Sequence, residues 1–540
     1  MAEPIQVTIW ASLQNPADPH VLLETNTTWG HIRELAPDAL AGAKYDASQK
    51  VYRVLHCDWA LVHASLLTSG IALDVEPEIA SWLADELVLT RDLEAKAQAR
   101  MLVFDQELAK RGHVLREYQK TGILWLASRR GGLLCDDPGL GKTLTTLCAV
   151  PEGHGCVIVC PVSLKEYWAQ ECATWRPDLK PVILSGRGSF RWPKPTRDLY
   201  HTHECIILGD ASLPDTFVDW NGVYLAVDEA HAYKNRESAR TKRMMALAAR
   251  IRKNRGWSVG LTGTPIMNEP TELYTLCEVF GIDRLAWDNW PAYVRLFGGV
   301  TDPYGRMHWN LPAGSQQAEQ ARARLARVSL RRRQADVLPE LPELSYREIP
   351  IALPRNLYKE LDELAKSSLT GEVLDAWEWH DVMPDFENWS EVKAELAALK
   401  YEATCALVKE YELSEKKILV FSDHRFVIDL LAKRPDWATI TGDTKASKRQ
   451  DIVDSFQAGK HPGLAMTIKA GGVGFNLTNA SHVLMLDLAV TPSLNSQAIK
   501  RAWRSGQKKP VLVTQLVSMH PLEKRIHKIL MTKQRLIEQL

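Results

Sequence analysis

The sequence predicts an α/β protein with two parallel-sheet lobes and helical insertions, preceded by a small N-terminal α+β domain. Three observations predict it. Short β-branched runs ending in small or acidic residues recur in two sets. The first set is "CVIVCP" (156–161), "CIILGD" (205–210), "VYLAVDEA" (223–230) and "WSVGLTGTP" (257–265). The second is "KILVFSD" (417–423), "ATITGD" (438–443), "LAMTIKAGG" (464–472), "HVLMLDLA" (482–489) and "VLVTQLV" (511–517). Such near-continuous apolarity is what strands covered on both faces require. Helical stretches alternate with the runs, as crossovers between parallel strands demand. A helical, Trp-rich, proline-punctuated stretch over roughly 270–400 separates the two sets.

The elements follow in order along 540 residues, a length that suits about three domains. Residues 5–10 alternate like a strand, and 43–55 read as two short strands around a polar turn. "WALVHASLLTSG" (59–70) has helical apolar spacing and a glycine stop. These make the accessory domain, residues 1–80. Residues 81–112 form a helical connector. The first lobe spans 113–345 with a helical insertion, 346–400 is a helical linker, and 401–540 is the second lobe with a basic C-terminal helix.

The formal net charge is zero, but unevenly spread. Residues 1–95 hold 14 acidic and 5 basic side chains, a net of −9. Between Lys500 and Arg535 stand ten Lys/Arg and one Glu, a run that suits either a polyanionic partner or a solvated helix face. Nine cysteines lie scattered, with no second pair near Cys156 and Cys160 at zinc-site spacing, so they read as reduced core residues of an intracellular chain. The opening "MAEPIQVTIW" lacks the basic start and apolar block of a secretory signal, and no run of about 18 apolar residues implies a membrane span.

Chemistry gathers first at "CDDPGLGKTLTTLC" (135–148). A strand end, a glycine turn and a helix start offer unpaired N–H groups and a positive dipole to an anion. Gly139 and Gly141 let the backbone approach phosphate oxygens, Lys142 suits the β- and γ-phosphates, and Thr143 suits Mg²⁺. Asp136 stands where such loops ordinarily have a glycine. About 85 residues later the strand "VYLAV" ends in Asp228 and Glu229. The first carboxylate suits Mg²⁺, and the second suits orienting and deprotonating a water. A plain glycine turn or acidic cap explains either motif alone, but not the ordered pair.

The ordered set resembles the Swi/Snf-type ATPases of helicase superfamily two. "LREYQKTGILWL" (115–126), "DDPGLGKT" (136–143), "VIVCPVSLKEYWAQE" (157–171), "DEAHAYKN" (228–235) and "LTGTPIMNEPTELYTL" (261–276) match in the first half. "ILVFSDH" (418–424), "TIKAGGVGFNLTNASHVLMLD" (467–487) and "QAIKRAWRSGQ" (497–507) match in the second. The resemblance covers roughly 115–515 and implies two RecA-like lobes. Gln119 matches the adenine reader, and an acid at Asp136 is the family's usual form of the loop. The implied nucleotide contacts are Gln119, Asp137, Gly139, Leu140, Gly141, Lys142, Thr143, Leu144 and Gly472. Lys142, Asp228, Glu229, Arg501 and Arg504 are implied in catalysis, with ATP and Mg²⁺ required. Thr262, Thr264, Lys469, Gly471, Asn476 and Gln497 are implied in nucleic-acid contact and coupling, and Gly474 adds close backbone approach.

Arg501 and Arg504 lie three apart, one helical turn, so both face one way and can stabilise charge on a γ-phosphate. The loop lies in one lobe and the arginines in the other, so the site completes only on closure. The chain departs from the family pattern at Ile499 and Lys500, where an acidic pair is usual. Trp503 stands at a histidine place, Gln334 where lysine is common after Arg331 and Arg332, and Pro138 where methionine is usual. Trp503, Tyr45 and Trp59 read best as core residues. Within the family, "AWDNWPAYVRLFGG" (286–299) and "VSLRRRQADVLPELPE" (328–343) resemble the annealing-helicase, HepA-related subgroup, and residues 31–71 resemble its accessory domain.

The expected function is a DNA-dependent ATPase translocating on double-stranded or forked DNA. A strand-separating DNA or RNA helicase and an ATP-switched binding module remain the alternatives. The chain is expected to be a monomer without membrane contact, with a recruiting protein at the N-terminal domain. Its compactness suits a prokaryotic or viral source and a cytoplasmic, DNA-associated protein, nuclear if eukaryotic.

Overall fold

A computed structural model describes residues 8–12, 20–35, 44–55, 59, 62–63, 66–184, 204–210, 213, 222–254, 256–266, 269–287, 289–303, 307–312, 314–356, 358–359, 389–471, 475–489, 491–520, 523–524, 527–528 and 530–531. The accessory domain is a five-stranded sheet of β1 (Thr8–Ser12), β2 (His20–Thr25), β3 (Lys44–Asp46), β4 (Val51–Leu55) and β5 (Ala72–Val75), in the order β3-β4-β2-β1-β5. Only β1 and β5 pair in parallel. The hairpin β3–β4 is where the sequence places it. The strands β2 and β5 escape periodicity because neither is long nor cleanly alternating. Ile9, Val21, Leu23, Ile32, Val54 and Trp59 form the core, as expected for Trp59. Tyr45 corrects its expectation: it lies on the edge strand, 44% exposed, with its ring 5.2 Å from that of Tyr52.

The connector is one helix, Pro77–Lys110, begun by a proline whose missing N–H costs nothing in a first turn. It ends before Gly112, at φ 79°. Its Met101, Phe104 and Leu108 bury against Leu115, Ile123 and Leu126 of the first lobe. Lys120 meets Asp105 at 2.8 Å across the same seam.

The first lobe's sheet contains β6 (Gly131–Leu134), β7 (Cys156–Cys160), β8 (Lys180–Ile183), β9 (Glu204–Gly209), β10 (Tyr224–Val227), β11 (Trp257–Leu261) and, after a hairpin of β12 (Gly299–Thr301) and β13 (Met307–Trp309), β14 (Ser329–Leu330). Their order is β14-β6-β11-β10-β7-β9-β8, with every pair parallel. Strands β7, β10 and β11 are buried at every position, which is why they read as unbroken apolar runs. The insertion after β11 carries helices Pro270–Phe280, Trp290–Leu296 and Gln316–Val328. Their aromatic residues make a local core: Trp287 lies 5.0 Å from Tyr293 and 5.5 Å from Phe297, both edge to face.

The second lobe's sheet holds β15 (Leu344–Ile351), β16 (Ile418–Ser422), β17 (Ala438–Ile440), β18 (Gly463–Thr467), β19 (His482–Met485) and β20 (Val511–Ser518). The order is β15-β20-β19-β16-β18-β17, again all parallel. Here the expected boundary shifts, because β15 comes from the stretch read as helical linker and pairs with β20 along eight residues. As an edge strand it carries exposed Tyr346, Arg347 and Glu348, which hide its signal. The described cysteines are all free, and seven of the eight are buried. Among the described residues no helix is long and apolar enough to cross a membrane.

Trp287, 1% exposed, also donates its Nε1–H to Cys277 Sγ at 3.4 Å. Trp287→Ala is expected to cost about 3–5 kcal/mol. Urea unfolding checks this.

Candidate active site

The phosphate loop is built by what precedes and follows it. Strand β6 delivers Asp136 and Asp137, Gly139 and Gly141 turn at φ 91° and 79°, and helix Lys142–Ala149 begins directly. A side chain at either φ is strained, so glycine is the residue these turns take. Lys142 Nζ donates to Asp136 O at 2.8 Å, which folds it back over the loop. Gln119 accepts from Arg116 N at 2.9 Å, and a Cβ on Gly141 would lie 2.9 Å from Gln119 Nε2. The adenine-side segment therefore touches the loop directly. Leu140 and Leu144 are buried beneath it, so they support the loop from the core. Thr143 lies beside the Tyr167 hydroxyl.

Asp136 is fully buried and does not face the phosphates. Arg332 Nε donates to its Oδ1 at 2.9 Å, and a second guanidinium N–H reaches Oδ2. Arg332 also donates to Tyr118 O and lies 5.3 Å from the Tyr118 ring. One arginine thus joins the helix Glu117–Ala127, the phosphate loop and the end of β14. The acid in place of the first glycine is the anchor of the loop.

Strand β10 ends at Asp228, whose Oδ2 accepts from Trp168 Nε1 and Oδ1 from Glu229 N, each at 2.9 Å. Burial first, and the neighbouring Glu229 charge second, push its carboxyl up to about 6. A site that penalises a bare carboxylate is one that a divalent cation relieves. Asp228 and the Thr143 hydroxyl fit Mg²⁺, which takes few protein ligands and completes its shell with phosphate and water. Among the described residues no group of three or more His, Cys, Asp or Glu gathers.

Glu229 sits at φ 49°, ψ 49°, a left-handed conformation that costs a non-glycine residue about 1–3 kcal/mol. Its Oε2 is 3.2 Å from His231 Nδ1, which is 3.2 Å from Thr262 Oγ1. Burial holds His231 below its ordinary value, hence neutral. Thr262 Oγ1 accepts from Thr264 N at 3.1 Å and donates to Thr264 O at 3.0 Å. His231 thus bonds the "LTGTP" turn and lies beside Glu229 Oε2, a buried oxygen without a hydrogen-bond partner among the described residues. The turn also touches the loop: a Cβ on Gly263 would lie 3.0 Å from Pro138 Cδ. Pro138 thus packs its ring against a backbone that has no side chain.

The second lobe closes on these groups. Arg501 Nε donates to Gly471 O at 3.1 Å, and an N–H of Arg504 donates to Phe475 O at 3.0 Å. Burial, then the neighbouring Arg504, lowers Arg501 to about 10, still a cation at neutral pH. A Cβ on Gly139 would lie 3.5 Å from Arg504 Cβ. The arginines are correctly paired in space, but not on a helix. Helix Pro492–Ile499 has ended, and both stand on the turn that follows.

Lys500, at the acidic place of the family pattern, meets Asp137 across the cleft at 2.7 Å. The same Asp137 oxygen accepts from Gln334 N at 3.0 Å. Trp503 donates to Pro342 O at 2.8 Å and packs partly buried, as expected of a core residue. Arg116 binds Glu340 and lies 3.4 Å from Ser505 Oγ.

The structure therefore gathers Gln119, Asp137, Gly139 to Leu144, Asp228, Glu229, Thr262, Thr264, Arg501 and Arg504. Gly471 is buried, with a would-be Cβ 2.6 Å from the Phe421 ring. Gln497 is buried in its helix, while Lys469 and Asn476 are exposed. Gly472 and Gly474 lie outside the described residues. Trp168 and His231 were missed from sequence, and Arg332 and Lys500 were marked there without their partners Asp136 and Asp137. Their only signal was a polar or aromatic residue inside a matched motif.

Two substitutions test the anchoring. Arg332→Ala leaves Asp136 charged and buried, a loss expected at about 3–5 kcal/mol by chemical denaturation. Lys500→Asp sets like charges against each other and is expected to lower turnover, with partial recovery in the Asp137→Lys/Lys500→Asp double variant. Additive losses in steady-state ATPase assays would deny the coupling.

Comparison with known proteins agrees with this architecture. The SNF2-related domain model matches residues 118–370, and the helicase conserved C-terminal domain model matches 399–506. The Caenorhabditis elegans homolog of SWI/SNF-related matrix-associated actin-dependent regulator of chromatin subfamily A-like protein 1 is 27% identical, over 88% of this chain and 68% of that protein. The human DNA annealing helicase and endonuclease ZRANB3 is 25% identical, over 76% of this chain but 39% of its own length. An uncharacterized ATP-dependent helicase of Mycoplasma genitalium is 25% identical, over 78% and 42%. The chain thus spans less than half of these last two relatives. With both domain models in order around a phosphate loop, an acidic pair and two cross-cleft arginines, the chain belongs to the Swi/Snf-type ATPases of helicase superfamily two and is an ATP hydrolase.

Proposed function

We propose that this ATPase is DNA-dependent and translocates on double-stranded DNA, remodelling or reannealing forked DNA. The observation that carries the reading is the placement of Arg504 against Gly139, because hydrolysis then depends on the relative position of two lobes. Lys142 and the loop N–H groups bind the β- and γ-phosphates. Asp228 and Thr143 would hold Mg²⁺, which when bound would supply positive charge to neutralise the phosphates. Glu229 takes the proton of the attacking water, and its strained backbone fixes where that carboxylate points. Arg501 and Arg504 meet the charge that develops on the γ-phosphate. His231, bonded to Thr262 and lying beside Glu229, relays the state of this site to the "LTGTP" turn. Resemblance to annealing-helicase relatives supports forked DNA as the substrate, with exposed Lys469 and Asn476 offered to its backbone.

ATP turnover measured with duplex, forked and single-stranded DNA tests the reading. Stimulation by duplex or forked DNA is expected, and no response to any DNA refutes it. Displacement of a strand from tailed duplexes would instead favour a separating helicase. Cutting before Pro77 removes the accessory domain while keeping the connector seam, and so isolates that domain's part in fork preference.

Glu229→Gln is expected to bind ATP yet lose about 10²–10⁴-fold in turnover. Arg504→Ala should lose about 10³–10⁵-fold. Single-turnover hydrolysis with a separate nucleotide-binding assay checks both; undiminished turnover removes the assigned role.

A further inference from the structure

Gln334 begins the short helix Gln334–Val337 and is completely buried, at 0% exposure. Among the described residues, neither Oε1 nor Nε2 of its side chain has a hydrogen-bond partner. Its backbone is held firmly, because Gln334 N donates to Asp137 Oδ2. The amide is therefore presented, not misplaced. Its position is against the phosphate loop: a Cβ on Gly139 would lie 2.9 Å from Gln334 Nε2 and 3.8 Å from Arg504 Nε. Arg504 Nε is likewise buried without a partner. Two unsatisfied N–H donors, one from each lobe, thus converge on the glycine around which the loop turns.

Buried polar side chains are nearly always paired, and an exception at a site calls for the group that pairs it. A donor pair over a phosphate loop calls for a phosphate oxygen. The family commonly has a lysine here. In this chain Lys500 already brings a cation to Asp137. A neutral amide can give the hydrogen bond without adding like charge beside Lys142, Lys500 and Arg504.

We propose that Gln334 is a further nucleotide-contacting residue, whose Nε2 donates to a phosphate oxygen of ATP above Gly139, alongside Arg504 Nε. The proposal rests on the ATPase assignment and adds a ligand to it. The nucleotide inserts between loop and arginine and satisfies both donors at once. Gln334 then reports occupancy through Asp137 to Lys500, on the opposite lobe.

The test is Gln334→Leu, similar in size and without polar atoms, with Gln334→Lys as the donor-restoring variant. Thermal melting without nucleotide, the melting shift with Mg-ADP and with a non-hydrolysable ATP analogue, and kcat and KM on DNA are measured for each. For Gln334→Leu, the nucleotide-free Tm is expected to hold or rise, because two orphaned groups are removed. The affinity for the analogue is expected to fall about tenfold, with a smaller melting shift. Gln334→Lys should recover much of that affinity. Unchanged affinity and turnover in Gln334→Leu overturn the proposal. So does a fall of nucleotide-free Tm in step with activity, which marks a purely structural residue. A wild-type chain that shows no nucleotide shift at all would instead strike the ATPase assignment.

Discussion

Everything at the cleft hangs on the pairing of Asp136 with Arg332. A phosphate loop is a run of backbone donors with little to hold it, and here two glycines loosen it further. The buried carboxylate fixes its base, while the guanidinium reaches the adenine-side helix and the end of β14. Desolvating such a pair gains little net stability, so its value is geometric. It sets where Gln119, Lys142 and Gly139 stand relative to one another. Asp137, one residue on, then carries that geometry across to Lys500.

The catalytic groups divide into those that are relaxed and those that are loaded. Lys142 is folded onto a carbonyl and Arg501 onto Gly471. Asp228 is held short of easy ionisation, Glu229 sits at an unfavourable φ, and Gln334 and Arg504 keep unsatisfied atoms. The loaded groups all lie around the phosphate loop, where the two lobes meet. Charge and hydrogen-bond deficits of this kind are what binding relieves, and they favour the bound, closed cleft.

Much of this was legible in the sequence. The inner strands of both sheets were, because burial on both faces leaves runs such as Cys156–Cys160 and Ile418–Ser422 without polar interruption. The edge strand β15 was not, because Tyr346, Arg347 and Glu348 face water and blur its pattern. Asp228, Glu229 and Arg504 were readable as ordered motifs. Trp168, His231 and Arg332 act through contacts 60, 31 and 196 residues away in sequence, and no local pattern encodes those. The arginine turn was misjudged as helix because a spacing of three fits a tight turn as well as an α-helix.

The cross-cleft pair has a consequence for inheritance. Lys500 of the second lobe faces Asp137 of the first. The two halves are therefore matched parts. A grafted second lobe with an acid at position 500 would set carboxylate against carboxylate beside the phosphate loop. Recombination or domain shuffling at the linker would be tolerated only when positions 137 and 500 travel together, so each motif, intact by itself, would be no guarantee of a working chimera.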